Sequence, residues 1–534
     1  MDPNVTTDIR GQEAAAKLQI ARAAGLVMAL FVVSRSLGLL REMVIGHQFG
    51  TGGDLDAYLA AFRVPDILFQ IVAGGALASA FIPTFASYLA QDREDSAWRL
   101  ASAVINLVLI ITTALATVAV LLAPWLVRTL VAPGFDPERQ ALTTELMRLM
   151  LLTPVIFGVS GVVMGILNAR QHFLLPALAP IAYNLGIIGG ALILARTMGV
   201  QGLAWGVVIG ALGHLLVQVP GLVRHGLRYT PTLGLRDPGV HEVGRLMVPR
   251  MVGLAAVQVN FLVNTILASG LAAGSLSALN YAWLLMLLPQ GVFAQAVATA
   301  AFPTFSAQAA RGQRAEMRGT LSATLRAVLY LAVPAAVGLI VLRVPLVQLL
   351  FERGAFTETS TQMVAWALAL FALGLAAHSA VEIVVRAFYA MHDTKTPVTI
   401  GVAAMGLNVV LSLVLISAFK AMGWMPFGGL ALSNSVATTI EIIVLLVLIR
   451  RRLDGLQGRR LAGSLVRIGL AAAAMGGAVA LAARLLGSAS AWLVSGLSIA
   501  VGLAVYGGVS LALGAPEPAA VWSMVRSRRR LPGA

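Results

Sequence analysis

The chain contains no cysteine and, for a protein of 534 residues, very little charge, since Asp, Glu, Lys and Arg make up only 11%. The absence of cysteine excludes disulfide bonds, thiolate catalysis and cysteine-ligated metals. The shortage of charge is equally informative, because about a quarter of the residues in a soluble domain are charged. With 58% hydrophobic residues and a mean hydropathy of +0.86, the chain is predicted to be an integral membrane protein.

Signatures of catalysis and of nucleotide binding are missing too. The sequence has no Walker P-loop, no HExxH motif and no GxSxG in a strand-turn-helix setting. We therefore predict that the protein is not an enzyme and uses neither a cofactor nor a metal. Any active transport would then be driven by a monovalent ion or by the membrane potential. The net charge of +15 does not require nucleic acid, because membrane proteins place an excess of Lys and Arg on the cytoplasmic side.

Apolar runs close to the roughly 20 residues needed to cross a bilayer recur along the whole sequence. They are too long and too continuous for barrel strands, so the predicted fold class is all-α, a polytopic membrane protein with about 14 transmembrane helices. The approximate predicted spans are 24–47, 57–88, 100–127, 145–168, 174–195, 201–223, 246–269, 275–305, 322–350, 361–389, 397–419, 428–449, 462–483 and 490–513.

The distribution of basic residues predicts the orientation. Most of the 38 Lys and Arg residues lie at the termini or in the loops after even-numbered helices, which places both termini in the cytoplasm. The N-terminal segment lacks the features of a cleaved signal, so the first helix is expected to remain as an anchor. The basic C-terminal tail is expected to contact anionic lipid headgroups. The predicted segments are a cytoplasmic N-terminal segment (1–23), a first six-helix lobe (24–224), a basic cytoplasmic linker (225–245), a second six-helix lobe (246–450), a C-terminal loop with helices 13 and 14 (451–513) and a basic cytoplasmic tail (514–534).

An internal repeat supports the division into two lobes. Ile82-Pro83-Thr84-Phe85 returns as Phe302-Pro303-Thr304-Phe305, and the segment 169–184 resembles 390–408. The period contains six helices, an even number, so both copies enter the membrane with the same orientation. Such parallel repeats place a substrate site at the repeat interface. We expect two parallel six-helix lobes around a central cavity plus two C-terminal helices, and a static duplicated scaffold is the alternative.

Four charged residues interrupt the first two apolar runs, namely Arg35, Arg41, Arg63 and Asp66. Ionisable residues in membrane segments are costly and usually functional. At an offset of 224 residues Arg41 falls on Thr265, so the second copy does not repeat this charge. Guanidinium groups at different depths suit an elongated anion such as a diphosphate. In the alternative interpretation, Arg41 and Arg63 snorkel to the interface and Arg35 pairs with Glu42.

A second set of polar residues lies in the second lobe. His378, Glu382 and Arg386 repeat every four residues and so share one face of helix 10, and Glu441 is a lone carboxylate in helix 12. These residues could relay a proton or couple an ion, and a structural ladder of ion pairs is the alternative. Asn184, Asn264 and Asn408 are expected to bridge helices, and His214 is expected to be a hydrogen-bonded core residue.

Several segments in series resemble one known family. The segments are SRSLGLLRE, FGTGGDLDAYLAAFRVPD, GGALASAFIPTF, APGF, ILNARQHFLLPALAP, NTILASGLAAGS, FERGAF and FYAMHDTKTPV. They resemble the signature of the MurJ (MviN) lipid II flippases of the multidrug/oligosaccharidyl-lipid/polysaccharide exporter superfamily, over nearly the whole chain to about residue 450.

This resemblance implies a function and a set of site residues. The expected function is flipping of the undecaprenyl-diphosphate-linked peptidoglycan precursor, lipid II, from the inner to the outer leaflet of the bacterial plasma membrane by alternating access, in cell-wall biosynthesis. Arg35 and Arg41 match the family's helix-1 arginines, Ser34 and Asp56 stand at motif positions, and Arg63 occupies a Lys or Arg position. The expected partners are the lipid-linked precursor and membrane lipids.

The chain departs from the charged pattern of the family in three places. The family has an Arg near Phe69, a Glu near Gly74, and an Asp-Arg pair where this chain has Trp283 and Leu284. The alternatives are export of another polyprenyl-linked glycan or of small amphipathic compounds, or a non-transporting membrane scaffold.

Overall fold

The computed structural model describes residues 3–72, 75–487 and 490–517. Its side chains are described for 25–71, 80–248, 251, 258–487 and 490–517. All regular secondary structure within these described residues is helical, as the sequence predicts. The chain divides into two compact units, Met1–Gly270 and Leu271–Ala534, which we call unit 1 and unit 2.

Unit 1 contains twelve α-helices among the described residues. They are α1 (Pro3–Phe49), α2 (Gly53–Ala61), α3 (Arg63–Val72), α4 (Gly75–Ala90), α5 (Glu94–Leu126), α6 (Pro137–Met150), α7 (Leu152–Ala169), α8 (Leu174–Gly189), α9 (Ala195–Met198), α10 (Val200–Leu216), α11 (Val219–Arg224) and α12 (Pro238–Ser269). Short π-helical turns, Val127–Val131 and Gly190–Leu194, extend α5 and α8.

Unit 2 contains ten α-helices among its described residues. They are α13 (Ser275–Gln290), α14 (Ala296–Ala310), α15 (Arg314–Val341), α16 (Arg343–Phe351), α17 (Glu358–Ala372), α18 (Leu375–Ala390), α19 (Lys395–Ala421), α20 (Gly428–Arg452), α21 (Gly458–Leu485) and α22 (Ala491–Ala512). The π-helical turn Gly291–Gln295 joins α13 to α14, so the two form one span of 36 residues.

Ten helical spans in the described part of the chain are long and apolar enough to cross a membrane, and the pair α17 and α18, bent by 45°, makes an eleventh. All eleven coincide with predicted spans. The other three predicted spans fall on α1, on α2 to α4 and on α12, which are helical as expected. The multi-pass all-α prediction is confirmed, and the count of fourteen membrane crossings stays a prediction.

The predicted second span, 57–88, is divided into three helices. α2 ends at Ala61 and α3 begins at Arg63, two residues before the buried Pro65. Proline tolerates the first turn of a helix but cannot donate the backbone hydrogen bond that an interior position requires. The chain therefore restarts its helix at Arg63, which sets the direction of that side chain.

The boundary between the units differs from the predicted lobes. The sequence pattern places the residues 246–269 in the second lobe, whereas α12 belongs to the compact unit that ends at Gly270. α12 packs against α3 and α4 of unit 1. Side chains of α12 thus lie beside those of α3, although about 200 residues separate the two helices in sequence.

Each unit has its own core, and the repeated motifs lie inside it. Phe85 packs with Phe81 and Trp98 in unit 1, and Phe305 packs with Met317 and Phe388 in unit 2. The turns that follow α7 and α18 also match, since Gln171 and His392 both have a positive φ, 58° and 59°. The structure thus repeats the register seen in the sequence.

Glycines allow α8 and α10 to approach closely in unit 1. A Cβ atom added to Gly186 would lie 2.3 Å from the Cα of Gly210, and one added to Gly190 would lie 2.5 Å from the Cα of Gly206. Small residues at helix contacts are a common solution in membranes, where packing replaces the hydrophobic effect. This contact fixes α8, which carries Asn184.

Candidate functional site

Helix α1 carries two of the predicted arginines, but it directs them to different sides. Arg35 and Arg41 are six residues apart, so they are separated by about 9 Å along the axis and by about 120° around it. Arg35 is exposed, and its Cζ lies 5.4 Å from the centre of the Phe31 ring. It forms no ion pair with any residue that the structure describes. Arg41 instead faces α8 and is half-buried.

Arg41 is held by a carboxylate and an amide. Its Nη2 and Nε atoms donate to Glu42 Oε1 at 2.6 and 3.1 Å, and its Nη1 donates to Asn184 Oδ1 at 3.1 Å. The side chains of Arg41 and Glu42 are 25% and 13% exposed. The predicted alternative in which Arg35 pairs with Glu42 is wrong, because Arg41 occupies that carboxylate. A guanidinium has five N–H donors, so two donors of Arg41 are not used by any described residue.

Asn184 connects this arginine to the backbone of α1. Its Nδ2 donates to the carbonyl oxygen of Ser34 at 3.5 Å while its Oδ1 accepts from Arg41. Ser34 is half-buried and contributes this backbone carbonyl to the cluster. The expectation that Asn184 bridges helices is thus met, since it joins α8 to α1. Tyr58 and Tyr183 lie within electrostatic range of the same guanidinium.

Arg63 is positioned separately, at the start of α3. Its Nε donates to Thr265 Oγ1 at 2.7 Å, and its Cζ lies 5.7 Å from the centre of the Phe261 ring. Both partners belong to α12, and Thr265 is fully buried. Asp66, one turn along α3, is half-buried and lies within electrostatic range of Arg63. The four N–H groups on the Nη atoms of Arg63 form no hydrogen bond with a described residue.

Asp56 lies in α2 and is only 2% exposed. The structure therefore places this motif residue in the interior of unit 1. Of the six first-lobe candidates, Ser34 and Arg41 are brought together through Asn184, and Arg63 and Asp66 form a second group. Arg35 joins neither group within the described residues.

Aromatic residues fill two of the places where the family pattern has charge. The Phe69 ring lies 5.1 Å from that of Phe157, which in turn lies 5.1 Å from Tyr183 and from His214. In unit 2 the Trp283 ring lies 5.6 Å from His378. Leu284 is half-buried, and Gly74 lies outside the described residues.

The candidate coupling residues of unit 2 are not joined in a single series of ion pairs within the described part of the chain. His378 Nε2 lies 2.9 Å from Asn434 Oδ1 and 3.3 Å from Thr438 Oγ1. Arg386 pairs with Glu382 at 3.6 Å, as the structural alternative predicts for these two. Glu441 is half-buried, and its Oε1 lies 3.6 Å from the position of a Cβ built on Gly401.

Other polar candidates are satisfied locally. Ser160 Oγ lies 2.7 Å from Nδ1 of the buried His214, and Gln218 Nε2 donates to Ser160 Oγ at 2.9 Å, so His214 is a hydrogen-bonded core residue as expected. Within the described residues, no group of three His, Asp or Glu side chains is arranged to hold a metal ion.

Sequence reasoning did not identify Glu42, Asn184 or Thr265 as the residues that hold the two arginines. The available signal was the presence of single polar residues in apolar runs, which indicates helix bridging without naming the partner. Arg41 and Asn184 are 143 residues apart, and Arg63 and Thr265 are 202 apart. Only the fold shows that these polar residues meet the two arginines.

Comparison with known proteins adds the family. The profile described as lipid II flippase MurJ matches residues 45–501. The lipid II flippase MurJ of Burkholderia cenocepacia is 32% identical over 443 residues, covering 82% of this chain and 84% of that protein. The probable lipid II flippase MurJ of Rhizobium tropici is 31% identical over 519 residues, covering 93% and 95%.

Solved structures agree with this result. A lipid II flippase MurJ in an inward closed conformation matches with a TM-score of 0.76 and 25% identity, covering 91% of this chain and 98% of that one. An inward-facing multidrug resistance MATE transporter of the MOP superfamily matches with a TM-score of 0.66 and 16% identity, covering 82% and 99%, which indicates a shared fold. Because the family profile and relatives at 30% identity or more span most of its length, this chain belongs to the lipid II flippase MurJ family.

Proposed function

We propose that this protein flips lipid II, the undecaprenyl-diphosphate-linked peptidoglycan precursor, from the inner to the outer leaflet of the bacterial plasma membrane during cell-wall biosynthesis. Membership of the MurJ family over most of the chain supports this function. The single structural observation that carries it is Arg41, a half-buried guanidinium on a membrane helix with two N–H donors still available to an anion.

Arg41 is the residue that binds the diphosphate. Glu42 and Asn184 fix the guanidinium plane, so its two remaining N–H groups point in a set direction and form charge-assisted hydrogen bonds with phosphate oxygens. Arg35 is exposed about 9 Å further along the helix and is not committed to a described carboxylate. It recruits the precursor, whereas Arg41 holds it.

Arg63 and Asp66 form the second part of the binding site. Thr265 anchors Nε of Arg63 and leaves both Nη atoms for substrate. Asp66 orients this guanidinium from the same helix. Ser34 and Asp56 support the site from within unit 1, through the Ser34 carbonyl on Asn184 and the buried side chain of Asp56.

Transport proceeds by alternating access, with both termini in the cytoplasm and with a monovalent ion or the membrane potential as the source of energy. His378, Glu382, Arg386 and Glu441 are the residues of unit 2 proposed to take part in coupling. Glu441 is the strongest of these, because no ion pair to it occurs among the described residues. The protein acts as a transporter and not as an enzyme.

A complementation experiment tests the function. Cells depleted of their own lipid II flippase should regain growth when this chain is expressed, and they should fail to grow when Arg41 is replaced by Ala. Arg128→Ala is the matched control, because Arg128 is an exposed arginine of the same unit. Failure of the well-expressed wild-type chain would reject lipid II as the substrate.

Another polyprenyl-linked glycan is a second candidate substrate, favoured by one observation. Phe69 and Trp283 stand in aromatic clusters where the family pattern has charge. Aromatic faces pack well against apolar and weakly polar groups. Flipping assays in vesicles with lipid II and with a polyprenyl-diphosphate carrying a different glycan separate the two candidates, since the true substrate should be moved faster.

A further inference from the structure

Unit 2 contains a pocket of about 560 Å³ outside the site described above. It lies where α14, α18 and α20 end and α15 begins. Its lining includes Gln308, Gly312, Arg314, His392, Arg451 and Arg452. This volume is within the range of about 300–1,000 Å³ that is usual for small-molecule sites. Under the orientation proposed above, the pocket opens at the cytoplasmic surface.

Asp393 is an acidic residue near the pocket, and both of its carboxylate oxygens have partners. Asp393 Oδ2 lies 2.6 Å from Arg452 Nη2, and it accepts a hydrogen bond of 2.6 Å from the Thr396 hydroxyl. The Thr396 backbone N–H donates to Asp393 Oδ1 at 3.0 Å. The hydrogen bond from the Thr396 hydroxyl helps to hold the pKa of Asp393 below its ordinary value. Arg452 and Asp393 therefore neutralise each other.

Arg314 and Arg451 have no such counter-ion. Both side chains are exposed, and neither forms an ion pair with any residue that the structure describes. His392, also exposed, adds an imidazole to the same wall. The pocket thus presents two uncompensated guanidinium groups, and each of them offers several N–H donors suited to phosphate oxygens.

The corresponding corner of unit 1 contains an ion pair. There Arg170 Nη2 lies 2.5 Å from Glu94 Oε1, and the Arg170 guanidinium stacks on the Trp98 ring. The matching turns at Gln171 and His392 align Arg170 with Met391, and the repeated Pro-Thr-Phe motif aligns Glu94 with Arg314. Unit 2 thus has an arginine at the position where unit 1 has the carboxylate.

The helix dipole affects Glu94 and Arg314 in opposite ways. Glu94 is the first residue of α5, where the positive end of the helix dipole favours a carboxylate. Arg314 is the first residue of α15, where the same dipole disfavours a positive side chain. Stabilising the helix therefore does not explain an arginine at this position. An anion in the pocket would interact favourably with both the guanidinium and the helix terminus.

We infer that this pocket binds a phosphate-bearing anion, with Arg314 and Arg451 as its principal ligands. The chemistry fits two sources, the headgroup of an anionic phospholipid and free phosphate in the cytoplasm. The site is separate from the arginines of unit 1, and the inference does not depend on which lipid the protein transports.

Binding measurements on the purified full-length protein test this site. Phosphatidylglycerol retained from nanodiscs is counted by native mass spectrometry, and inorganic phosphate is titrated into detergent-solubilised protein while thermal unfolding is followed. The double variant Arg314→Gln/Arg451→Gln is compared with Arg459→Gln/Arg460→Gln. The control removes the same charge from exposed arginines in the first turn of α21 that do not line the pocket.

The pocket variant should bind the anion more weakly by about fivefold for each arginine removed, and the control should change binding by less than about twofold. An effect seen only with phosphatidylglycerol identifies a lipid headgroup, and an effect with inorganic phosphate identifies free phosphate. Equal losses in the two double variants, or unchanged binding of both probes by the pocket variant, would overturn the inference.

Discussion

Two buried asparagines at related positions of the repeat are used differently in the two units. Asn184 in unit 1 accepts from Arg41 and donates to a backbone carbonyl of α1. Asn408 in unit 2 donates to Ser433 Oγ at 3.1 Å, and Ser412 Oγ lies 2.7 Å from the same hydroxyl. One amide holds a charge, whereas the other joins α19 to α20 through neutral hydroxyl groups. The same repeated framework thus holds a charged side chain in one unit and joins two helices in the other.

This difference supports the proposal that the substrate binds in unit 1. A buried amide can stabilise a helix pair with any polar partner, so its presence in both copies follows from packing in the membrane. The guanidinium is present in only one copy, and burying it is costly. Its retention beside a hydrogen-bonded amide is therefore better explained by a ligand than by stability.

Replacing Arg41 by Ala should have the largest effect. Loss of the fixed guanidinium removes the charge-assisted bonds to the diphosphate and leaves Glu42 half-buried without its partner, so we expect lipid II flipping to fall by about 100-fold or more. Flipping in proteoliposomes gives the rate. Arg35→Ala should reduce it less, by about tenfold, because Arg35 is exposed. Comparable rates for Arg41→Ala and wild type would remove Arg41 from the site.

The paired variants Asn184→Ala and Asn408→Ala test the contrast between units directly. Asn184→Ala should slow flipping by about tenfold because Arg41 loses its orientation. Asn408→Ala should keep flipping within about twofold of wild type and lower the free energy of unfolding by about 1 kcal/mol. Rates and thermal unfolding are measured on the same preparations. Equal loss of transport in both variants would mean that the two amides have one common structural role.

Changing Glu42 to Gln should strengthen anion binding. The carboxylate competes with phosphate oxygens for the Arg41 donors, so its neutralisation should tighten the binding of pyrophosphate by about fivefold at low salt. Isothermal titration calorimetry measures the affinity. In the Arg41→Ala background the same change should have no such effect. If Glu42→Gln weakens binding instead, then Glu42 acts mainly by orienting Arg41.

The smallest effect is expected at Thr265. Thr265→Val keeps the shape but removes the acceptor for Arg63 Nε, which should cost about 1 kcal/mol of stability and slow flipping by about threefold. Thr265→Ser, which keeps the hydroxyl, is the matched control and should behave as wild type. Thermal unfolding and flipping rates check both values. A Val variant with wild-type behaviour would show that Arg63 does not need its contact with α12.

Most of the fold could be predicted from the sequence because hydropathy is a local property. Each of the fourteen predicted spans falls on helix in the structure, and the repeated Pro-Thr-Phe motifs lie in matching cores. The predicted span 57–88 contains Pro65, and the structure ends α2 before this proline, at Ala61. The assignment of α12 to unit 1 was not visible, because it depends on contacts with α3 and α4.

The candidate site could be predicted only in part. Three arginines stand out as charges in apolar segments, namely Arg35, Arg41 and Arg63. Their spacing does not show which guanidinium group is held by neighbouring side chains. The side chains of Arg35 and Arg41 leave the helix in directions that differ by about 120° around its axis. Which residues each side chain contacts depends on how the other helices pack against α1. Glu42 is an example. Its spacing in the sequence permits an ion pair with Arg35, whereas in the structure Glu42 pairs with Arg41.

The sequence by itself determined that this protein is a helical membrane protein built from a repeat, with its unusual charges in the first copy and the signature of its family. Composition and hydropathy suffice for the helical membrane fold, because transfer of residues into a bilayer depends on local hydropathy. The repeat and the family resemblance rest on particular motifs instead. Only the tertiary structure decided that Arg41 is held by Glu42 and Asn184 and that Arg63 is held by Thr265. Asn184 and Thr265 are far from these arginines in sequence, and their hydrogen bonds exist only because helix packing brings the groups within about 3 Å.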